Sequence, residues 1–235
     1  MSVFSRNLQF LRQEKSWDLP TCARILGIWE DTLRKLEKGH SEPDVQTLLT
    51  VSEVFETSID HLLKRDLDLL SARLRSKTIR LILLDVDGTM TDGGMFYTES
   101  GDVMKRFHVK DGMAIHRMIT RHKMQFGLIS AGATEKLVRT RAEKLGIQRV
   151  YCGTEPKVKI LAQWLEELQL TADKVLYVGD DLNDLPIIKK VGISACPADA
   201  ALQIREAVDI CLKTPGGHGC IRELLEGVLK FDISK

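Results

Sequence analysis

The chain has 235 residues, of which 43% are hydrophobic and 29% are charged, a composition typical of soluble globular proteins. Its formal net charge of +1 excludes a whole-chain attraction to nucleic acid or to an anionic membrane, so such binding would require a local charged patch. No apolar run reaches the roughly 18–20 residues of a membrane span, and the N-terminus lacks the apolar core of a signal peptide. We therefore expect a cytoplasmic protein without membrane contact.

Residues 1–65 carry the pattern of five short helices. Apolar residues recur at helical spacing from Phe4 to Leu11, and a third helix is predicted over Trp29–Lys38. The expected boundaries are residues that cap or end helices: Asp18, Gly27, Gly39, Asp44 and Ser58. A tight glycine turn between the second and third helices is typical of a helix-turn-helix. Residues 21–63 resemble the repressor-like (Cro/C1, XRE-type) helix-turn-helix family, which implies a small all-α domain over 1–65.

The charges of this segment do not favour DNA binding. A recognition helix would begin with Trp29, Glu30 and Asp31, and two carboxylates there would be repelled by the phosphate backbone. Residues 1–66 contain nine basic and eleven acidic side chains, although neutralisation of phosphates supplies most of the affinity for DNA. We therefore expect this domain to mediate assembly or partner contact, with DNA binding through residues 1–65 as the alternative.

A different pattern begins after a connector at residues 66–78, which has some helical character. Three short apolar runs, at residues 79–84, 124–129 and 174–179, are rich in branched side chains. Helical stretches lie between them, among them Thr134–Leu145 and Lys157–Leu168. Strands that alternate with helices predict an α/β domain with a parallel sheet over residues 79–235.

Two groups of aspartates follow two of these strands. Asp85 and Asp87 come directly after the first strand, and their spacing places both side chains on the same side of the chain. Asp180, Asp181 and Asp184 follow another strand. Because parallel strands open onto one crevice at their carboxyl ends, these carboxylates are expected to crowd a single site. Such crowding is unfavourable without a cation, and oxygen ligands without a nearby thiol or imidazole pair favour Mg²⁺.

These motifs resemble the haloacid dehalogenase superfamily, whose fold is a doubly wound parallel sheet. Its D-x-D-G-T motif is matched by Asp85–Thr89, and its strand-ending hydroxyl by Ser130. Its helix-borne lysine is matched by Lys157, with Lys159 as a rival, and its G-D-D-x-x-D motif by Gly179–Asp184. The four motifs occur in this order between residues 79 and 235, which makes the resemblance specific.

The resemblance implies a phosphatase mechanism with a role for each matched residue. Asp85 would attack phosphorus and form an aspartyl-phosphate, and Asp87 would act as the general acid and base. The side chain of Asp85, the backbone carbonyl of Asp87 and Asp180 would bind Mg²⁺. Phosphoryl oxygens would be held by three further residues: Thr89, Ser130 and Lys157. Two more aspartates, Asp181 and Asp184, would orient Lys157 or the waters of the metal.

The interval between Thr89 and Ser130 is too short for a large cap domain and instead indicates a short hairpin insert. This resembles the branch of 3-deoxy-D-manno-octulosonate 8-phosphate phosphatases, which act in lipopolysaccharide biosynthesis and in which hairpins of four subunits assemble and neighbours complete each site. Three segments match that branch: Asp92-Gly93, Phe107–Gly112 and Gly216–Glu223. The resemblance implies a phosphorylated sugar-acid substrate and a homotetramer.

One departure from the branch leaves the substrate open. Ser130-Ala131-Gly132 stands where the branch often has Thr-Gly-Arg or Thr-Gly-Gly, so an arginine that could contact substrate is missing. A nonulosonate (sialic-acid-like) 9-phosphate is therefore an alternative substrate. Two further alternatives are a phosphatase for nucleotides or phosphoproteins, and a DNA-binding regulator with a metabolite-sensing phosphatase-like domain.

Overall fold

The computed structural model describes residues 1–75, 79–101, 103–132 and 134–231, and the chain divides into two compact units, Met1–Ser76 and Lys77–Lys235. Of the predicted segments, residues 76–78 of the connector and 232–235 of the second domain lie outside the described residues. Within the described ranges, no helix combines the length and the apolar character that crossing a membrane requires.

The first unit consists of short helices around an apolar core. Their bounds are α1 Val3–Glu14, α2 Leu19–Leu26, α3 Glu30–Lys38, α4 Val45–Val54, α5 Ile59–Lys64 and α6 Leu67–Arg75. Side chains of Ser2, Asp18, Asp44 and Ser58 accept a backbone hydrogen bond at the starts of α1, α2, α4 and α5. The core is formed by apolar side chains from α1 to α5, among them Phe4, Leu8, Leu33, Val51 and Leu62.

Hydrogen bonds of the Asn7 side chain connect α1 to the end of α5 and the start of α6. Its side-chain Nδ2 donates to the carbonyl oxygens of Leu62 (2.9 Å) and Arg65 (2.6 Å), and its Oδ1 accepts from the backbone N–H of Leu67 (3.0 Å). Asn7 is buried, so these bonds satisfy polar groups that would otherwise be costly to bury. Helix α6, whose first N–H bonds to Asn7, covers most of the predicted connector at residues 66–78.

The second unit contains a six-stranded, all-parallel sheet, which confirms the predicted α/β class. The strand order is β5-β4-β1-β6-β7-β8. The bounds are β1 Leu81–Leu84, β4 Gln125–Ser130, β5 Arg149–Cys152, β6 Val175–Val178, β7 Ile193–Cys196 and β8 Ile210–Cys211. The helices are α7 Val109–His122, α8 Glu135–Leu145, α9 Lys157–Leu168, α10 Leu185–Ile188, α11 Leu202–Ala207 and α12 Cys220–Arg222, which continues into a π-helical turn at Glu223–Val228.

The register brings the ends of the central strands together. Leu84, the last residue of β1, pairs with Leu128 of β4 on one side and with Val178 of β6 on the other. All four residues of β1 and of β6 are buried, as expected for parallel strands covered on both faces. The loops that follow β1, β4 and β6 therefore start at one edge of the sheet, where a crevice forms.

A small hairpin occupies the interval in which the sequence predicts one. Strands β2 (Phe96–Tyr97) and β3 (Val103–Met104) pair antiparallel, and Thr91 forms an isolated bridge with Phe107. Phe96 and Tyr97 are exposed, as is Met104. The hairpin thus presents apolar side chains that the described residues of this chain leave open to solvent.

Candidate active site

The loop after β1 begins with a buried carboxylate. Asp85 is 5% exposed, and its backbone N–H donates to the carbonyl oxygen of Val178 at 2.8 Å, which extends the pairing of β1 with β6 by one residue. The chain then turns within a few residues, closed by a bond from the Thr91 N–H to the Val86 carbonyl oxygen at 3.0 Å. This turn places the residues after Asp85 above the edge of the sheet.

Gly88 allows the β1 loop to approach the β6 loop. Its φ of +86° lies in the left-handed region, and a Cβ on Gly88 would lie 2.0 Å from Oδ2 of Asp180. A larger residue would therefore push the two acidic loops apart. The glycine of the D-x-D-G-T motif has a structural reason here: it permits carboxylates from two strands to share one site.

Lys157, the first residue of α9, connects the two acidic loops. Its Nζ donates to Oδ1 of Asp85 at 2.7 Å, to Oδ1 of Asp184 at 2.5 Å and to the hydroxyl oxygen of Tyr177 at 3.2 Å. The side chain is buried. Burial lowers the pKa of Lys157, but the carboxylates of Asp85 and Asp184 outweigh burial, so the pKa is raised and the ammonium stays charged.

Asp184 holds this network in place. Its Oδ1 accepts from Lys157 and from the hydroxyl of Tyr177 at 2.5 Å, and its Oδ2 accepts from the backbone N–H groups of Asp180 (2.9 Å) and Asp181 (3.2 Å). With both oxygens engaged and the side chain fully buried, Asp184 orients Lys157 and the β6 loop.

Asp85 and Asp180 supply oxygens suited to a divalent cation. Carboxylate oxygens of Asp85, Asp180 and Asp184 lie within 4.8 Å of one another. Burial, which disfavours the charged form, raises the pKa of Asp85 to about 7 and that of Asp180 to about 6. A cation would remove this penalty, and because the oxygens of Asp184 are engaged, the residues present fit a hard ion held by Asp85 and Asp180.

Thr89, predicted to contact the phosphate, makes a hydrogen bond to the β6 loop. Its side chain is fully buried, and its hydroxyl donates to Oδ1 of Asp180 at 2.8 Å. The hydroxyl therefore orients a candidate metal ligand. A contact of Thr89 with a phosphoryl oxygen stays a prediction.

Asp87 and Ser130 lie together on the other side of the loop. A Cβ on Gly132 would lie 2.9 Å from Oδ2 of Asp87, 3.2 Å from Oγ of Ser130 and 3.6 Å from Nζ of Lys105. Ser130 is buried, and its Oγ accepts from the backbone N–H of Gly132 at 3.0 Å. Asp87 is 34% exposed and is thus the more accessible carboxylate of the D-x-D pair.

Two predicted residues lie outside this cluster. Asp181 is exposed and caps the short helical turn after β6, with its Oδ1 accepting from the Leu182 N–H at 2.8 Å. The hydrogen bonds found for Lys157 in the described structure go to Asp85, Tyr177 and Asp184, so Asp181 does not orient this lysine. Lys159 is exposed and pairs with Glu155 at 2.6 Å, so of these two lysines Lys157 is the one that contacts Asp85.

Sequence reasoning missed two residues of the cluster. Tyr177 lies within buried strand β6, where it reads as an apolar strand residue, yet its hydroxyl contacts both Lys157 and Asp184. Lys105 follows β3, where it reads as an exposed hairpin residue, yet its Nζ lies 2.6 Å from Oδ1 of Asp87. The hydroxyl of a tyrosine in a buried strand is a usable signal, because it needs a polar partner.

The glycine-rich tail packs against the β1 loop of the same chain. The Gly217 N–H donates to the Thr89 carbonyl oxygen at 3.0 Å, and a Cβ on Gly216 would lie 1.8 Å from the Gly88 carbonyl oxygen. Arg222, also in this tail, pairs with Glu226 at 2.7 Å. The tail therefore supports the loop that carries Asp85 and Asp87.

Comparison with known proteins identifies similar chains. Residues 107–192 match the haloacid dehalogenase-like hydrolase family. The 3-deoxy-D-manno-octulosonate 8-phosphate phosphatase of Escherichia coli K12 is 36% identical over 165 residues, covering 68% of this chain and 87% of that protein.

Two solved structures are similar in fold and sequence. The 3-deoxy-D-manno-octulosonate 8-phosphate phosphatase from Yersinia pestis matches with a TM-score of 0.66 and 32% identity, covering 71% of this chain and 89% of that chain. The Moraxella catarrhalis enzyme of the same name, solved in complex with a magnesium ion, a phosphate ion and a KDO molecule, matches with a TM-score of 0.64 and 29% identity, covering 68% and 91%.

Proposed function

Because this chain belongs to the haloacid dehalogenase superfamily, as a phosphatase related to the 3-deoxy-D-manno-octulosonate 8-phosphate phosphatases, we propose that it hydrolyses a phosphorylated sugar acid through an aspartyl-phosphate. The observation that carries the proposal is the arrangement of Asp85 between Lys157 and Asp180. A buried carboxylate with an ammonium 2.7 Å away on one side and a cation-binding carboxylate on the other suits attack on an anionic phosphate.

The two aspartates of the β1 loop divide the chemistry between them. In the first step an oxygen of Asp85 bonds to phosphorus while the bond from phosphorus to the sugar oxygen breaks, and Asp87 gives its proton to the leaving oxygen. In the second step Asp87 takes a proton from water as the water oxygen attacks phosphorus. The bond between Asp85 and phosphorus then breaks and phosphate leaves. The greater exposure of Asp87 fits contact with both the leaving group and water.

Other residues of the site would stabilise the negative charge that develops on the phosphoryl oxygens. Lys157 and Ser130 would contact phosphoryl oxygens, and because both are buried, these interactions would be less screened than at a surface. Asp85, Asp180 and the backbone carbonyl of Asp87 would hold Mg²⁺, which neutralises charge between nucleophile and phosphate when bound. Asp184 and Tyr177 keep Lys157 in position. Asp181 would orient water molecules bound to the metal.

We propose 3-deoxy-D-manno-octulosonate 8-phosphate as the substrate, because the similar phosphatases of Escherichia coli and Yersinia pestis are named for this ester. A nonulosonate 9-phosphate is the second candidate, because Gly132 stands where a side chain could otherwise distinguish sugar acids. Gly132 borders Asp87 and Ser130, which we propose to contact the leaving group and the phosphate. An arginine near this position could contact the sugar acid, and its absence leaves the choice between the two esters open.

We further propose that copies of this chain assemble, as a tetramer, through hairpin β2–β3. The hairpin exposes Phe96, Tyr97 and Met104, and such a cluster of apolar side chains is typical of an interface. A neighbouring subunit would also limit the access of water to a site that lacks a cap domain.

For the first unit we propose a helix-turn-helix arrangement used for protein contact. Trp29 precedes α3 and is 85% exposed, and exposed aromatic side chains are enriched at protein interfaces. Glu30 and Asp31 at the start of α3 each pair with a basic residue one turn later, Arg34 and Lys35, so these cations are not free for phosphates.

Turnover on a panel of phosphorylated sugar acids tests the function. We expect hydrolysis with Mg²⁺ present, a preference for an eight- or nine-carbon sugar acid, and loss of activity when the metal is removed with a chelator. Equal rates with and without chelator would contradict the metal site. A preference for nucleotides or phosphopeptides over every sugar acid would contradict the substrate class.

A further inference from the structure

Lys105 connects the exposed hairpin to the active site. It directly follows β3, and its neighbours Met104 and Arg106 are exposed, yet its own side chain is only 2% exposed. Its Nζ donates to Oδ1 of Asp87 at 2.6 Å. A charged side chain this deeply buried requires a partner of opposite charge, and Asp87 provides it.

The contact fixes one oxygen of Asp87 and leaves the other facing Ser130 and Gly132. Oδ1 accepts from Lys105, whereas Oδ2 lies on the side of Gly132, where a Cβ would come within 2.9 Å of it and within 3.2 Å of Ser130 Oγ. A carboxylate on a short side chain can rotate about two bonds. The ion pair with Lys105 restricts that rotation and keeps Oδ2 on the side of Ser130 and Gly132.

The second lysine of the site cannot replace Lys105. The hydrogen bonds of Lys157 go to Asp85, Asp184 and Tyr177, so it serves the nucleophile and the β6 loop. The two ammonium groups therefore divide the D-x-D pair between them. One, from helix α9, holds the nucleophile, and the other, from the hairpin, holds the neighbouring carboxylate.

We propose that Lys105 is a positioning residue, which holds Asp87 in the orientation that transfers a proton to the leaving oxygen. The hairpin thereby takes part in the acid–base step of the reaction. This inference rests on the proposed phosphatase function in one respect only, the role of Asp87 as general acid. It does not depend on which sugar acid is the substrate.

A positioning role predicts a specific dependence on the leaving group. An alkoxide leaving group needs a proton as its bond to phosphorus breaks, whereas p-nitrophenolate is stable enough to leave without one. Replacement of Lys105 by Ala should therefore lower kcat on a sugar-acid phosphate by about 10- to 100-fold, a part of the full effect of general acid catalysis. The same variant should lose less than about threefold on p-nitrophenyl phosphate, and KM should change little on either ester.

Three variants make the result specific. Lys105→Arg keeps the charge and the reach, so it should restore part of kcat on the sugar-acid ester. Arg106→Ala removes the next cation of the same segment, which pairs with Asp92 at 2.6 Å outside this cluster, and should leave both rates unchanged. Adding Lys105→Ala to Asp87→Asn should cause little further loss, because both changes remove the same proton transfer.

The outcomes separate this inference from the function on which it rests. Equal loss on both esters, or a raised KM at unchanged kcat, would overturn the inference, because Lys105 would then contact phosphate or sugar directly. If wild-type protein hydrolysed neither ester, the proposed function itself would fail. Thermal melts of all variants guard against misfolding, and if Lys105→Ala does not fold, Lys105→Met, which keeps the buried stem, takes its place.

Discussion

Asp184 shows how one buried side chain supports a site that it does not enter. Its two oxygens accept from Lys157, Tyr177 and two backbone N–H groups, so it sets the position of the lysine that contacts the nucleophile. Asp181, three residues earlier in the same motif, is exposed and caps a short turn. Two aspartates of one motif thus have different energetic weight because their burial differs.

Replacing Asp184 by Asn should destabilise the protein and lower its activity. The amide cannot accept from all four donors, and the buried ammonium of Lys157 loses a counter-charge, so we expect a loss of about 2–4 kcal/mol in the free energy of unfolding. Denaturant unfolding with activity assays measures both effects. Asp181→Asn is the matched control and should stay within about 0.5 kcal/mol of wild type. Equal destabilisation by the two variants would contradict the network.

The polar residues at this scale could be predicted only where a motif marked them. Asp85, Asp87, Ser130, Lys157 and the aspartates after β6 were found because strand ends and spacing place them at one edge. Lys105 and Tyr177 were not found, because a lysine beside a hairpin and a tyrosine in a strand each have an ordinary alternative place. Their roles depend on long-range contacts, with Asp87 and with Lys157, that no local pattern encodes.

At the scale of elements, apolar runs in the sequence predict three of the six strands of the sheet. Strands β1, β4 and β6 lie in continuous apolar runs because they are inside the sheet and buried on both faces. Strand β5 is at one edge and only half-buried, and β8, at the other edge, has two residues, so neither produces such a run. Strand β7 is buried and as long as β1 and β6, but its small residues Ser194 and Ala195 weaken the apolar signal.

If copies of the chain assemble through the hairpin, substitutions on its surface should change the oligomeric state. Phe96→Ser together with Tyr97→Ser removes exposed apolar area from β2, and we expect the mass in solution to shift toward the single chain. Size-exclusion chromatography with light scattering measures that mass. Leu202→Ser, at a similarly exposed apolar residue on α11, is the control. An unchanged mass in the hairpin variant would contradict assembly through this element.

At the scale of the whole molecule, the two units differ in what their sequences reveal. The second unit combines ordered motifs with a parallel sheet, and the comparisons confirm its assignment as a phosphatase of the haloacid dehalogenase superfamily. The first unit has well-capped helices and a compact core, but helices and caps specify a fold without specifying a partner. Its helix-turn-helix assignment and the domain bounds at residues 65 and 78 stay predictions.

A gel-shift titration of the full chain tests the partner of the first unit. We expect no salt-sensitive binding to duplex DNA tighter than micromolar, because the cations of α3 pair with Glu30 and Asp31 and the segment has more acidic than basic residues. Glu30→Gln with Asp31→Asn frees Arg34 and Lys35 and should raise any DNA affinity. Tight, salt-sensitive binding by the wild-type chain would favour the regulator alternative.

The central claim is that Asp85 is the nucleophile, and turnover by Asp85→Asn tests it most directly. The amide is nearly isosteric but does not attack phosphorus, so kcat on 3-deoxy-D-manno-octulosonate 8-phosphate with Mg²⁺ should fall to background. A cooperative thermal melt would show that the fold is intact, since Asp184 still pairs with the buried ammonium of Lys157. A folded Asp85→Asn variant that keeps more than a small fraction of wild-type activity would contradict the account.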